Sequence, residues 1–133
     1  MHLTNFTFRY DSNSVELEAF GCNWDLHNQT VFRGLRFEPL TGDVTMEWTP
    51  ADASERNPWG DLNNHATLCR LRFSGISLLR MGPRDDAYPS TENDCVESID
   101  IVADAEPERM VFNWQDERRI EIAAATVTME RES

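Results

Sequence analysis

An all-β fold, an antiparallel sandwich or barrel of about eight to nine strands with two long loops and little helix, is what this 133-residue sequence predicts. Two observations predict it. Apolar residues recur with period two: Val44, Met46 and Trp48 alternate with Asp43, Thr45, Glu47 and Thr49, so one face is dry and the other wet. Turn-forming clusters then separate short runs of this kind along the whole chain. The clearest instance is the stretch 31–49. Leu35 and Phe37 alternate with Gly34, Arg36 and Glu38, and Pro39, Thr41, Gly42 and Asp43 supply the turn of a β-hairpin.

Taken in order, Phe6, Phe8 and Tyr10 alternate with polar neighbours, the cluster 11–14 turns the chain, and Val15, Leu17 and Ala19 complete a first hairpin. Residues 21–29 break the pattern and read as a loop or a short helical turn. After the 31–49 hairpin, residues 50–64 are rich in Pro, Gly and Asn and read as a long surface connection. Cys69, Leu71 and Phe73 share one face of the next strand, Ser74-Gly75 marks a turn or bulge, and 76–81 resumes extended structure. Residues 84–94 form the second long loop. Strands follow over 95–103, with Ile99 and Ile101 inward, and over 110–114, with Met110, Phe112 and Trp114 in phase. In the last strand Ile120 and Ile122 have one parity, Val127 and Met129 the other. A slip of one residue flips every side chain, so a bulge or bend is expected at Ala123-Ala124-Ala125. No repeat or composition break divides the chain, and residues 1–133 are read as one domain.

The formal charge is 12 − 24 = −12, and every basic residue is arginine. Without lysine there is no Schiff-base chemistry, Walker A loop or kinase-type lysine. Neither G-x-G-x-x-G nor G-x-S-x-G occurs. An acidic surface repels phosphate backbones, so nucleic acid is not expected as a partner. No apolar run reaches bilayer-spanning length, and no membrane association is expected. The beginning MHLTNFTFRYDS lacks a basic region followed by an apolar one, which places the protein in the cytoplasm as an expectation. Cys22, Cys69 and Cys95 lack C-x-x-C spacing and are expected as free thiols.

No catalytic motif emerges, and neither a cofactor nor a metal is expected. Asp25, His27 and His65 have the chemistry of a zinc site without its spacing. Asp85, Asp86, Glu92 and Asp94 lack the glycine-containing spacing of a calcium loop. Trp48 and Trp114 lie on apolar strand faces and read as core. Trp24 and Trp59 stand in irregular segments; folding back into the core is the first reading of each, and both are also the aromatic candidates for a partner contact, together with His27, Asp85 and Asp86. Arg33 has the parity of Leu35 and Phe37; it reads first as a strand-end arginine reaching water, and the alternative is an inward orientation, where it would anchor an anionic ligand.

Two segments carry a resemblance. Leu26-His27-Asn28-Gln29-Thr30-Val31 resembles the F/L-H-D-x-x-V entry of small bacterial all-β domains, with Asn28 where that pattern has Asp. Leu71-Arg72-Phe73-Ser74-Gly75-Ile76-Ser77-Leu78 resembles their x-F-x-G-V-x-x-L strand. These domains include the polymorphic-toxin immunity family of type fifty. The resemblance implies a cytoplasmic, non-enzymatic protein that binds and neutralises a cognate toxin; the acidic charge points to a basic one, and a monomer or homodimer is expected. The alternative the residues leave open is a small-molecule-binding β-barrel or an uncharacterised domain, including an enzyme.

Overall fold

The structure is a computed structural model that describes residues 1–10, 15–51, 58–82, 96–114 and 118–133. The described residues form ten strands and no helix. They are β1 (His2–Thr4), β2 (Thr7–Phe8), β3 (Glu16–Ala19), β4 (Cys22–Asp25), β5 (Thr30–Glu38), β6 (Asp43–Pro50), β7 (Leu68–Met81), β8 (Val96–Val102), β9 (Arg109–Trp114) and β10 (Arg119–Glu132). A large sheet runs β5-β6-β7-β10-β9-β8 and curls into a half-barrel. A small sheet runs β2-β3-β4. The all-β expectation holds, and the cluster 11–14, the whole of the loop 84–94 and Cys95 lie outside the described residues.

Strand β10 organises the large sheet. It pairs with β7 along its whole length, with β9 through Arg119–Ile122, and with β1, in parallel, through Thr126–Thr128. Its expected irregularity falls between Ala123 and Ala124, where Ala123 opposes Leu78 and Ala124 opposes Ile76. Opposite, Gly75 has φ +70, and a Cβ there would lie 2.8 Å from the Ala125 Cβ. Glycine is required on both counts, and both strands bend together. The bend moves the core-facing parity of β10 from Ile120 and Ile122 to Val127 and Met129.

Packing is dominated by aromatic rings. Phe32 lies between Trp48 and Trp114, with ring centroids 5.3 and 5.1 Å away, and Phe112 contacts Trp48 and Phe73. The small sheet adds Leu17, Ala19 and Trp24 to the same cluster, and Trp59 joins from the segment before β7. Each such side chain stabilises the fold by about 1.5–3 kcal/mol through its removal from water. The outer face of the large sheet carries ion pairs between strands. Arg70 of β7 reaches Glu47 of β6 at 3.4 Å and Glu132 of β10 at 2.7 Å. Glu121, nearly buried on β10, is approached by Arg80, Arg109 and Arg119.

Two expectations about elements are corrected. Residues 22–25, taken into a loop, form β4; the strand is only four residues long and pairs directly back onto β3. Arg33 does not point inward. It is the extra residue of a bulge, because Phe32 opposes Trp48 while Gly34 opposes Glu47. Gly34 accommodates the distortion at φ +141. The bulge leaves Phe32 and Leu35 against the core and leaves Arg33 exposed, so strict alternation fails at that one residue.

Candidate functional site

One segment, residues 58–67, precedes β7 of the large sheet, bonds to β4 of the small one and lines two clefts. Trp59 is its root. Its indole Nε1 donates to the Ala66 carbonyl at 2.9 Å, its own carbonyl accepts from Asp25 N at 3.0 Å, and its ring lies 4.8 Å from that of Trp24. Trp24 Nε1 donates in turn to the Ala19 carbonyl at 2.9 Å. Both side chains are 0% exposed. Neither therefore offers surface to a partner, and the expectation of a tryptophan contact is corrected for both. Their indole N–H groups find carbonyl partners inside the fold, which offsets the cost of burying them.

Asp61 leaves this root on one side. Its carboxylate accepts from Asn23 N at 2.8 Å and from Asn63 N at 2.9 Å, and these bonds hold its pKa below the usual aspartate value. Asn64 Nδ2 donates to the Asn23 carbonyl at 3.0 Å, so the segment seals the outer edge of β4. A cleft of about 750 Å³ opens here on the outer side of the small sheet. Thr7, Glu18, Asn23 and Asp61 line it together with Arg9 and Phe20. Arg9 reaches Glu16 at 3.5 Å, so its charge is matched by a carboxylate. Phe20 and Gly21 form the two-residue turn between β3 and β4, and both have positive φ, as a type I′ hairpin requires. Phenylalanine is unusual there. The Arg131 guanidinium covers its ring at 4.6 Å, and Trp24 meets it edge-on.

His65 leaves the segment on the other side. It lines a cleft of about 300 Å³ together with Arg33, Thr49, Pro50, Pro58 and Thr67. Arg33 Nε donates to Thr49 Oγ1 at 2.7 Å.

The turn between β4 and β5 holds the remaining residues singled out by the sequence. Asp25, 7% exposed, accepts from His27 N at 3.0 Å and from Asn28 N at 2.9 Å, and Thr30 Oγ1 donates to the Leu26 carbonyl at 2.8 Å. His27 Nδ1 donates to the Val96 carbonyl at 2.7 Å; a carbonyl only accepts, so the proton sits on Nδ1. His27 thus ties this turn to the start of β8. Asp25, His27 and His65 do not converge, and among the described residues no group of His, Cys, Asp or Glu is arranged to hold a metal. Asp85 and Asp86 lie outside the described residues. Of the thiols, Cys22 is half-buried beside the larger cleft, and burial pushes the Cys69 thiol far up, away from reactivity.

Asp25 and Asp61 were missed as organising residues, and so was His65 as the neighbour of Arg33. A local signal existed for the two aspartates: each caps the backbone N–H two residues on, in Asp25-Leu-His27 and Asp61-Leu-Asn63. That Arg33 and His65 line one cleft has no local signal, because the two are far apart in sequence.

What fold and clefts define together is a class, an all-β half-barrel plugged by a small sheet, with surface clefts on either side of one pinned loop. No protein-family model, characterised protein or solved structure matches the chain. The likeness to immunity domains therefore rests on the two short motifs alone.

Proposed function

We propose that this protein is a non-enzymatic cytoplasmic binding protein of immunity type. It captures a basic protein partner, a toxin, through the cleft on the small sheet. The observation that supports the reading best is the pair of carboxylates in that cleft. Glu18 and Asp61 line it, Asp61 is held ionised by two backbone N–H groups, and the net charge of the chain is −12. A lysine or arginine entering the cleft meets acceptors already fixed in place, and the long-range field speeds its arrival. The hydrophobic cluster fills the space between the two sheets, which favours recognition at the surface over a ligand enclosed in a barrel. The His27–Asn28 turn supplies rigidity in this reading and takes no part in chemistry.

The test is association of the purified protein with the product of each adjacent gene across a salt series. The expected result is one tight partner whose on-rate falls steeply with ionic strength. Failure to associate with any of them, or an on-rate insensitive to salt, overturns the proposal.

A further inference from the structure

Arg33 stands apart from the other arginines. Arg9, Arg36, Arg70, Arg72, Arg80, Arg109 and Arg119 each face a carboxylate within 4.0 Å, the limit taken for an ion pair. Arg118 and Arg131 lie over aromatic rings. Among the described arginines, Arg33 alone has neither; its one partner is the Thr49 hydroxyl. In a chain with twice as many acidic as basic residues, an unmatched guanidinium is conspicuous. It is also placed deliberately. The bulge at Phe32–Gly34 turns Arg33 out of the alternation, and bulges commonly re-aim a side chain toward a site.

The surroundings suit an anion. The cleft that Arg33 lines also presents His65, Thr49 and Thr67, and among its described lining residues there is no carboxylate. The hydrogen bond from Nε to Thr49 fixes the plane of the guanidinium and leaves its terminal N–H groups unassigned. A planar, oriented fork of N–H donors is the geometry that grips two oxygens of a phosphate or carboxylate. Hydroxyl and imidazole groups supply further donors around the same space. Pro50 and Pro58 stiffen two of its walls. A volume of about 300 Å³ is enough for such a group with a small organic remainder.

We infer that the Arg33–His65 cleft is a binding site for a small oxyanion, a phosphate or carboxylate group, held bidentately by Arg33. The site is separate from the acidic cleft, and its failure leaves the partner reading standing.

The experiment is a titration of the full chain with inorganic phosphate, and separately with acetate, at constant ionic strength. Amide and imidazole NMR shifts are followed. The expected result is saturable movement confined to Arg33, Thr49, His65 and Thr67, with a dissociation constant on the order of 1 mM for the better ligand. Movement with one anion only assigns the source; movement with both assigns the shared chemistry. Arg33→Ala is expected to weaken binding at least ~10-fold, as loss of a charged hydrogen-bonding partner does. His65→Ala, an exposed loop change, is expected to weaken it about threefold, and Arg36→Ala on the same strand not at all. Arg33 is exposed, and the spectrum away from the cleft reports whether each variant folds. Absence of saturable shifts with either anion overturns the inference. So do shifts spread over the surface, or binding unchanged in both the Arg33→Ala and His65→Ala variants.

Discussion

The two clefts share the segment 58–67 and differ in how their charges are met. In the larger one the arginine is answered by Glu16, and the carboxylates Glu18 and Asp61 face the opening. In the smaller one the arginine is answered by a hydroxyl, and no described carboxylate lines the space. A protein of net charge −12 has acidic surface in excess, so an acidic cleft follows from composition unless its geometry is fixed. A basic cleft needs a specific device, here a β-bulge. The acidic site draws on the whole field of the molecule, whereas the basic one works against that field and depends on one side chain.

The largest test of this pairing is Trp59→Ala. Trp59 pins the shared segment through its indole and its carbonyl, and truncating a fully buried aromatic costs about 3–5 kcal/mol. Denaturant unfolding is expected to show a loss in that range, and backbone shifts at both Asn23 and His65. A loss well under 1 kcal/mol, or movement at one cleft only, breaks the idea of a common root. A second change separates this from general weakening. Gly75→Val meets Ala125 and takes an unfavourable φ, and Gly75 lines neither cleft. It is expected to cost about 1–3 kcal/mol while leaving amide shifts at Asn23 and His65 in place.

The sequence told more about the scaffold than about the clefts, and the reason is physical. Period-two alternation marked β6, β9 and the first half of β7, where apolar residues two apart are buried; beyond Phe73 no residue of β7 is buried. The change of parity in β10 foretold its bend, since no regular strand can bury Ile122 and Val127 together. Strand β1 was not visible: it has three residues, and its parallel pairing with β10 joins opposite ends of the chain. The same alternation left an inward alternative open at Arg33, because a bulge is a local exception that only the partner strand reveals. Trp24 and Trp59 stayed open between core and contact because position in an irregular segment does not determine depth. Each found a backbone carbonyl for its N–H and went inside. Clefts arise where segments distant in sequence meet, and periodicity carries no record of that.

The acidic cleft can be tested against the basic one by charge neutralisation. Glu18→Gln combined with Asp61→Asn is expected to weaken binding of the basic partner about tenfold, mostly through slower association at low salt. Phosphate titration at Arg33 is expected to be unchanged, because the two sites have no lining residue in common. Weakened phosphate binding in that double variant would mean that the segment transmits a change between its two sides.

The smallest expected effect is a pH dependence that belongs to one cleft. Asp61 accepts from Asn23 N and Asn63 N, which lowers its pKa below 3.8 in the folded protein. A depressed carboxylate favours the folded state wherever it is ionised. Its contribution is present above the unfolded value of 3.8 and is lost as the pH falls through the lower folded value. Asp61→Asn removes that contribution, so the variant is expected to be slightly less stable than wild type at neutral pH, with the difference closing as the pH falls below ~4. Asp61 is partly open to solvent, so the change is slight. It is measured as the difference between wild-type and variant unfolding midpoints across acid pH. A difference that is the same at every pH would place the role of Asp61 in packing and remove the fixed charge on which the acidic cleft depends.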